Sequence, residues 1–378
     1  MIEQLDDVRS VLAQRGGGWG APEVADALSE RGYVVSDSLV LALMEELRRS
    51  STGAGILDPL LAIPGVTDVL VNGPNQVFID RGAGLELTDV TFGSDEDVRK
   101  LATRLAAAVG RRLDDASPWV DARLADGTRL HAVLSCLSAP GTCISLRVPG
   151  KGGMTMEQFR ESRSFDARLE GVLRALIAKR IAFLVTGGTG SGKTTLLGCL
   201  LGLVRPDERL VIVEDSRELQ PHHPHVVQLE GRPANAEGAG AVTMTDLVRQ
   251  ALRMRPDRLI LGEARGAELC DLLTAMNTGH EGGCATLHAN SVSDVPARLE
   301  ALAALGGMGR EALHAQAGAA LKVVIHVKRW PSGHRGVAQI GVVRKVDGWV
   351  RIDPALSADE EGISRQEDSV DVLQQVIA

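Results

Sequence analysis

Between Gly187 and Thr194 the chain reads GGTGSGKT, which fits Gly-x-x-x-x-Gly-Lys-Thr, a pattern whose chemistry is that of a phosphate cradle. The glycines let backbone N–H groups turn inward on phosphate oxygens. Lys193 is placed to reach the β and γ phosphates, and Thr194 offers a hydroxyl to Mg²⁺. An apolar run over 181–186 precedes the loop and another over 195–204 follows it, so the motif sits in strand-loop-helix context with a positive helix N-terminus facing the ligand. Gly187, Gly188, Thr189, Gly190, Ser191, Gly192, Lys193, Thr194 and Thr195 are therefore expected around a nucleoside triphosphate, ATP with Mg²⁺.

Hydrolysis also needs an acid near the metal and the attacking water. Two apolar runs end in acids, LVIVED at Glu214 and Asp215, and LILGE at Glu263. In a parallel sheet such strand ends share the edge that carries the phosphate loop. Glu263 is assigned to polarising water and Glu214 to a metal-water contact; the alternative for either alone is an acid that opens the next helix. TGHEGGCATLHANS puts His280 and His288 on either side of a further strand; His288, at the strand end, is either a candidate to sense the γ phosphate or a satisfied polar group, and spacing and neighbours suggest no metal site.

Cations supply the other half of the chemistry. VDARLADGTRLHAV reads as a hairpin. A three-residue loop Ala125-Asp126-Gly127 pairs Arg123 with Arg129 on one face, and opposed cations are unfavourable unless an anion lies between them. A two-residue Asp-Gly turn puts them on opposite faces instead, and two solvated arginines are an equal alternative. Arg249 and Arg253, one helical turn apart, are candidate arginine fingers on a neighbour's nucleotide or members of a solvated basic face.

The elements that must position these residues follow from composition and punctuation. At 378 residues the chain is long enough for two domains and an appendage. Hydrophobic residues are 44%, aromatics only 3%, so the cores are aliphatic. The net charge of -8, with scattered Lys and Arg, gives no cationic stripe for nucleic acid. No apolar run approaches the length that spans a bilayer, and no signal peptide is visible. Five cysteines without a Cys-x-x-Cys pair read as reduced, buried small hydrophobes in a cytoplasmic protein. The expected layout is a helical extension at 1–50, an α+β domain at 56–148, a linker at 149–164, an α/β domain at 165–355 whose strands and helices alternate around a parallel sheet, and a loosely ordered acidic tail at 356–378.

Four ordered blocks, GGTGSGKTT, VIVEDSREL, RPDRLILGEARGAE and TGHEGGCATLHANS, together resemble the secretion and pilus-assembly ATPase superfamily. The closest resemblance is to its tight-adherence (Flp) pilus branch, the CpaF/TadA-like proteins, over about residues 56 to 350. The resemblance implies a RecA-like P-loop C-terminal domain behind an α+β N-terminal domain. It implies Glu263 as the catalytic glutamate, Glu214 as the acid-box carboxylate and His288 as the histidine near the γ phosphate. It also implies that N-terminal-domain arginines reach the phosphates, with Arg129 and Arg147 in the matching positions and Arg123 nearby. ATP then lies between the two domains of a homohexamer that pushes on a polytopic inner-membrane platform protein from the cytoplasmic face. The four-cysteine zinc module of type II secretion members is missing, so no metal beyond Mg²⁺ is expected. Two other readings stand beside the motor: a RecA-like nucleic-acid translocase and a nucleotide-binding scaffold that does not hydrolyse.

Overall fold

The computed structural model describes residues 7–8, 11–12, 20–51, 53–82, 84–150, 153–232, 234 and 238–378. The chain divides into two compact units, Met1–Pro149 and Gly150–Ala378. Part of the expected extension at 1–50 and of the expected linker at 149–164 lies outside the described residues.

In the first unit, helices Ala21–Glu30 and Asp37–Ser51 follow the apolar spacing at its start. The second runs into the polar stretch read as a linker near 48–55. A six-stranded antiparallel sheet follows, with β1 (Asp68–Asn72), β2 (Val77–Asp80), β3 (Leu85–Leu87), β4 (Trp119–Arg123), β5 (Arg129–Val133) and β6 (Cys143–Arg147) in the order β3-β2-β1-β6-β5-β4. Alternation along the strands buries Val69, Val71, Val77, Leu130, Ile144 and Leu146 against Val98, Leu101 and Leu105 of helix Asp95–Ala108. Ser94 caps that helix by accepting from the Asp97 N–H. Burying each such Leu or Val stabilises by about 1.5–3 kcal/mol before entropy is counted. The same alternation sends the strands' polar residues to the other face.

The second unit is built on a nine-stranded sheet in the order β15-β14-β13-β12-β7-β11-β10-β8-β9. Its strands are β7 (Phe183–Thr186), β8 (Leu210–Glu214), β9 (Val226–Glu230), β10 (Arg258–Leu261), β11 (Cys284–Leu287), β12 (Val323–Arg329), β13 (Arg335–Val346), β14 (Trp349–Ala358) and β15 (Ser364–Gln366). From β12 through β7, β11, β10 and β8 to β9 every pairing is parallel. β13, β14 and β15 extend the sheet antiparallel. β7, β8, β10 and β11 are buried along their whole length, which explains their unbroken apolar runs. Helices cover both faces in two separate aliphatic cores.

Three expectations need correction. Residues 149–164 are not simply a linker: Met156 and Phe159 of helix Met156–Glu161 are buried in the core of the second unit. The stretch 356–378 is not a loose tail. It finishes β14, forms β15, and ends in helix Val370–Ile377, whose Leu373 is buried. Asp166 Oδ2 accepts from the Ser364 N–H at 2.8 Å and its hydroxyl at 2.6 Å, tying the stretch down, and valines spaced along a helix outweigh the acidic residues before them. The cysteines divide as well: Cys199 and Cys284 are buried, Cys143 and Cys270 are partly so, and Cys136 is exposed.

Candidate functional site

The phosphate loop leaves β7 and enters helix Lys193–Leu201. Gly187, Gly190 and Gly192 have φ of 152°, 69° and 96°, values that L side chains rarely adopt. Gly187 has a second reason to be glycine. A Cβ there would lie 2.2 Å from the Val327 carbonyl oxygen and 2.6 Å from Ser191 Oγ. Thr194 and Thr195 begin the helix, with Thr195 exposed. The buried Lys193 donates from Nζ to the carbonyls of Gly187 (3.1 Å) and Gly188 (2.9 Å), which holds its ammonium against the loop.

β8, β10 and β11 are parallel to β7, so their C-terminal ends reach the loop's edge and deliver Glu214, Glu263 and His288 to it. His288 bridges two of the groups: Nε2 lies 2.9 Å from Glu263 Oε1, and Nδ1 lies 3.3 Å from Lys193 Nζ. Burial and then Lys193 hold the His288 pKa below its usual value despite Glu263. The resulting neutral ring donates from Nε2 to Glu263 and accepts at Nδ1 from Lys193, the one tautomer that satisfies both contacts. Burial pushes the Glu263 carboxyl upward, but Arg265, His288 and Lys193 outweigh it and keep Glu263 below the ordinary glutamate range. Glu263 is therefore ionised near neutral pH, as a residue that orients or deprotonates water must be.

Glu214 is held differently. It is buried, and its Oε1 accepts from the backbone N–H groups of Glu218 and Leu219, both at 3.0 Å. Burial pushes its carboxyl up to about 7 against those two bonds. Its Oε2 is buried without a hydrogen-bond partner, an acceptor of the kind that a water in a Mg²⁺ shell would use. Gly262 makes room for this side chain, because a Cβ there would meet Glu214 Cγ at 2.4 Å.

Other sequence-predicted residues fall elsewhere. His280 precedes β11, at the sheet edge opposite the loop. Arg249 and Arg253 lie in helix Met244–Ala251 and the 3₁₀ turn Leu252–Met254 that lead into the start of β10, also away from the loop within this chain. Arg249 pairs with Asp271 at 3.2 Å and Arg253 contacts Gln250 at 3.4 Å. In the first unit the hairpin adopts the three-residue loop, closed by Leu124 and Thr128, with Gly127 at φ 90°. Arg123 is thus directly opposite Arg129, Arg129 opposite Arg147, and Arg147 opposite Asp68. Three cations stand in one row on the face that the helix does not cover.

Sequence reasoning passed over Arg265. Its Nη2 donates to Glu263 Oε2 at 2.8 Å and its Nη1 to Asp215 Oδ2 at 2.5 Å, so one guanidinium joins the ends of β8 and β10. Glu268 then accepts from the N–H groups of Arg265 and Gly266, at 2.6 and 2.7 Å, and fixes the turn. The available signal was the position of Arg265 two residues after Glu263, but only the adjacency of β8 and β10 brings Asp215 into range.

A loop built for phosphates, with an ionised glutamate and a neutral histidine at the ends of neighbouring parallel strands, is the context in which the family comparison applies. Residues 50–329 match the model of the family described as type II/IV secretion system protein. The chain belongs to this family. Among its relatives, a putative conjugal transfer protein of Mycobacterium tuberculosis is 51% identical over 332 residues, covering 86% of this chain and 94% of the relative. The type IV secretion system protein PtlH of Bordetella pertussis is 34% identical over 266 residues, covering 64% and 78%. Among solved structures, the ATPase DotB of Legionella pneumophila aligns with a TM-score of 0.52 at 19% identity, over 80% of each chain. The pilus retraction motor PilT with bound ADP aligns at 0.53 and 17%, over 85% of each. These likenesses show the fold, a mixed α/β RecA-like P-loop fold, and membership of the family supports ATPase activity in general. Among the described residues no helix is long and apolar enough to cross a membrane.

Proposed function

We propose that the chain is an Mg²⁺-dependent, ATP-hydrolysing subunit of a homohexameric motor that drives assembly of a tight-adherence (Flp) pilus or a related secretion machine from the cytoplasmic face of the inner membrane. The observation that carries the hydrolytic part is the Glu263 carboxylate, ionised and held by His288 and Arg265 beside Lys193. Lys193 and the loop amides hold the phosphates, and Thr194 and a water on Glu214 Oε2 would hold Mg²⁺, which screens the phosphate charge when bound. Glu263 accepts the hydrogen of the attacking water and aims its oxygen at the γ phosphorus; that bond forms as the β–γ bridge breaks, giving ADP and phosphate. His288, neutral and within reach of Lys193, senses the departing phosphate.

The arginine row of the first unit supports a second part of the reading. Arg123, Arg129 and Arg147 stand on neighbouring strands, with Asp68 3.8 Å from Arg147, and a polyphosphate held by this row would draw on three cations at once. Closure of the first unit on ATP would then be the working motion, passed to a polytopic membrane platform protein. Arg249 and Arg253 face away from their own loop's edge, which suits a role toward a neighbour's nucleotide. The relative named for conjugal transfer and the relative named for type IV secretion both fit a machine at the membrane; the gene neighbourhood, with a small pilin and polytopic membrane proteins, separates pilus assembly from the others.

The decisive experiment is Glu263→Gln. Turnover should fall by about 10²- to 10⁴-fold with ATP binding retained; unchanged turnover would leave a nucleotide-binding scaffold in its place. Sizing the chain with and without Mg²⁺ and ATP tests the hexamer.

A further inference from the structure

We infer that Arg265 is a positioning residue for hydrolysis, a two-headed clamp that fixes the Glu263 carboxylate from the end of β8. The inference rests on the reading of Glu263 as the residue that handles water. Arg265 reaches Glu263 Oε2 at 2.8 Å with one nitrogen and Asp215 Oδ2 at 2.5 Å with another. His288 takes the other oxygen of Glu263 at 2.9 Å. Both carboxylate oxygens are thus fixed from different elements, one by the strand-end histidine of β11 and one by the turn after β10, while each keeps a lone pair for water.

The planar guanidinium suits this task. Its nitrogens diverge in a fixed fork, so the distance between the two carboxylates is set by one rigid group. Lysine would offer a single point charge and hold one partner at a time. Arg265 itself is held at its backbone, where its N–H and that of Gly266 both donate to Glu268. The side chain is more than half exposed, and Asp215 and Glu263 together hold its guanidinium at the strand ends. Lys193 and Glu218 also act on Arg265 through charge, but neither is hydrogen-bonded to it among the described contacts. No hydrogen bond joins Asp215 to Glu263 among the described contacts, and Arg265 is the group bonded to both.

The test measures ATPase kinetics, ATP binding and melting for Arg265→Gln, Arg265→Lys, Asp215→Asn, the double variant Asp215→Asn/Arg265→Gln, and Glu263→Gln, with intact protein and Mg²⁺. A loosened catalytic group costs up to about 10²-fold in rate. Arg265→Gln is expected to lower kcat by about 10- to 100-fold with KM for ATP within about twofold. Arg265→Lys should lie between it and the parent. Asp215→Asn should lower kcat severalfold alone and add nothing to Arg265→Gln, because the two act as one unit. A parental or raised kcat in Arg265→Gln, a loss confined to KM, or effects of Asp215→Asn and Arg265→Gln that multiply would each overturn the clamp. If Arg265→Gln fails to fold, a parental kcat in Arg265→Lys overturns it. Glu263→Gln separates the two readings: an active Glu263→Gln protein removes the reading of Glu263 itself, whereas an inactive one beside a fully active Arg265→Gln protein removes only the clamp.

Discussion

Replacing Gly262 by alanine adds one methyl group at the junction of the two acidic strand ends. The new Cβ would sit 2.4 Å from Glu214 Cγ, 2.8 Å from its Oε1 and 3.0 Å from its Cδ. Real Cβ atoms essentially never approach another heavy atom closer than 3.0 Å, so Glu214 must move. It has little room, because Oε1 is pinned by the N–H groups of Glu218 and Leu219 and the side chain is buried. Overpacking of this sort costs about 1–3 kcal/mol, and each amide left without its acceptor adds about 1–3 kcal/mol if its bond breaks. The backbone at Gly262 is not in the left-handed region, so the cost comes from the contact and not from φ. Gly171→Ala is the matched control. It lies in helix Ala167–Ala178 with nothing within 4 Å of its would-be Cβ, where alanine should stabilise by about 0.5–1 kcal/mol. Urea unfolding of both variants, with Mg²⁺-dependent ATPase rates alongside, reads the two effects. Gly262→Ala as stable and active as the parent would show that Glu214 is not fixed where the argument needs it.

Arg258 and Glu208 form a buried pair at 2.8 Å, with Arg258 also donating to the Ile177 carbonyl, so Arg258→Ala should destabilise by about 3 kcal/mol in urea unfolding. The figure sits at the low end because Arg180, 3.4 Å from Glu208, still offsets part of the stranded charge. Glu214, with its carboxyl raised to about 7 in the fold, binds its proton more tightly folded than unfolded, so it favours the fold at low pH and loses that contribution as pH rises from about 4.5 through 7. Without ATP, Glu214→Gln should therefore gain stability relative to the parent by roughly 3 kcal/mol between those limits, at 1.36 kcal/mol per pH unit; parallel stability curves would contradict the raised value. Arg123→Glu should weaken ATP binding at least tenfold if the arginine row reaches the phosphates, and unchanged ATPase kinetics would remove that row from the site.

Much of the site was legible because its parts are local. A phosphate loop is one continuous segment, and its glycines, lysine and threonine carry their geometry wherever a strand leads into a helix. Glu214, Glu263 and His288 were legible for a related reason, since apolar runs that end in a polar residue deliver it to one edge once the sheet is parallel. The hairpin of Arg123 and Arg129 left two registers open, and the Leu124–Thr128 closure decided between them. Arg265 was missed because its role depends on which strands are neighbours: Asp215 is 50 positions away in sequence, and only β8 lying beside β10 brings it to the guanidinium. The last 23 residues were misread because acidic composition argues for a loose chain, while the valines and Leu373 among them find a core made by helices from far earlier in the sequence. Sequence alone determined where a phosphate loop can form and which strands end in polar residues, because those are properties of segments. Strand order decided which of them share a proton or a charge, because contact between segments exists only in the folded chain.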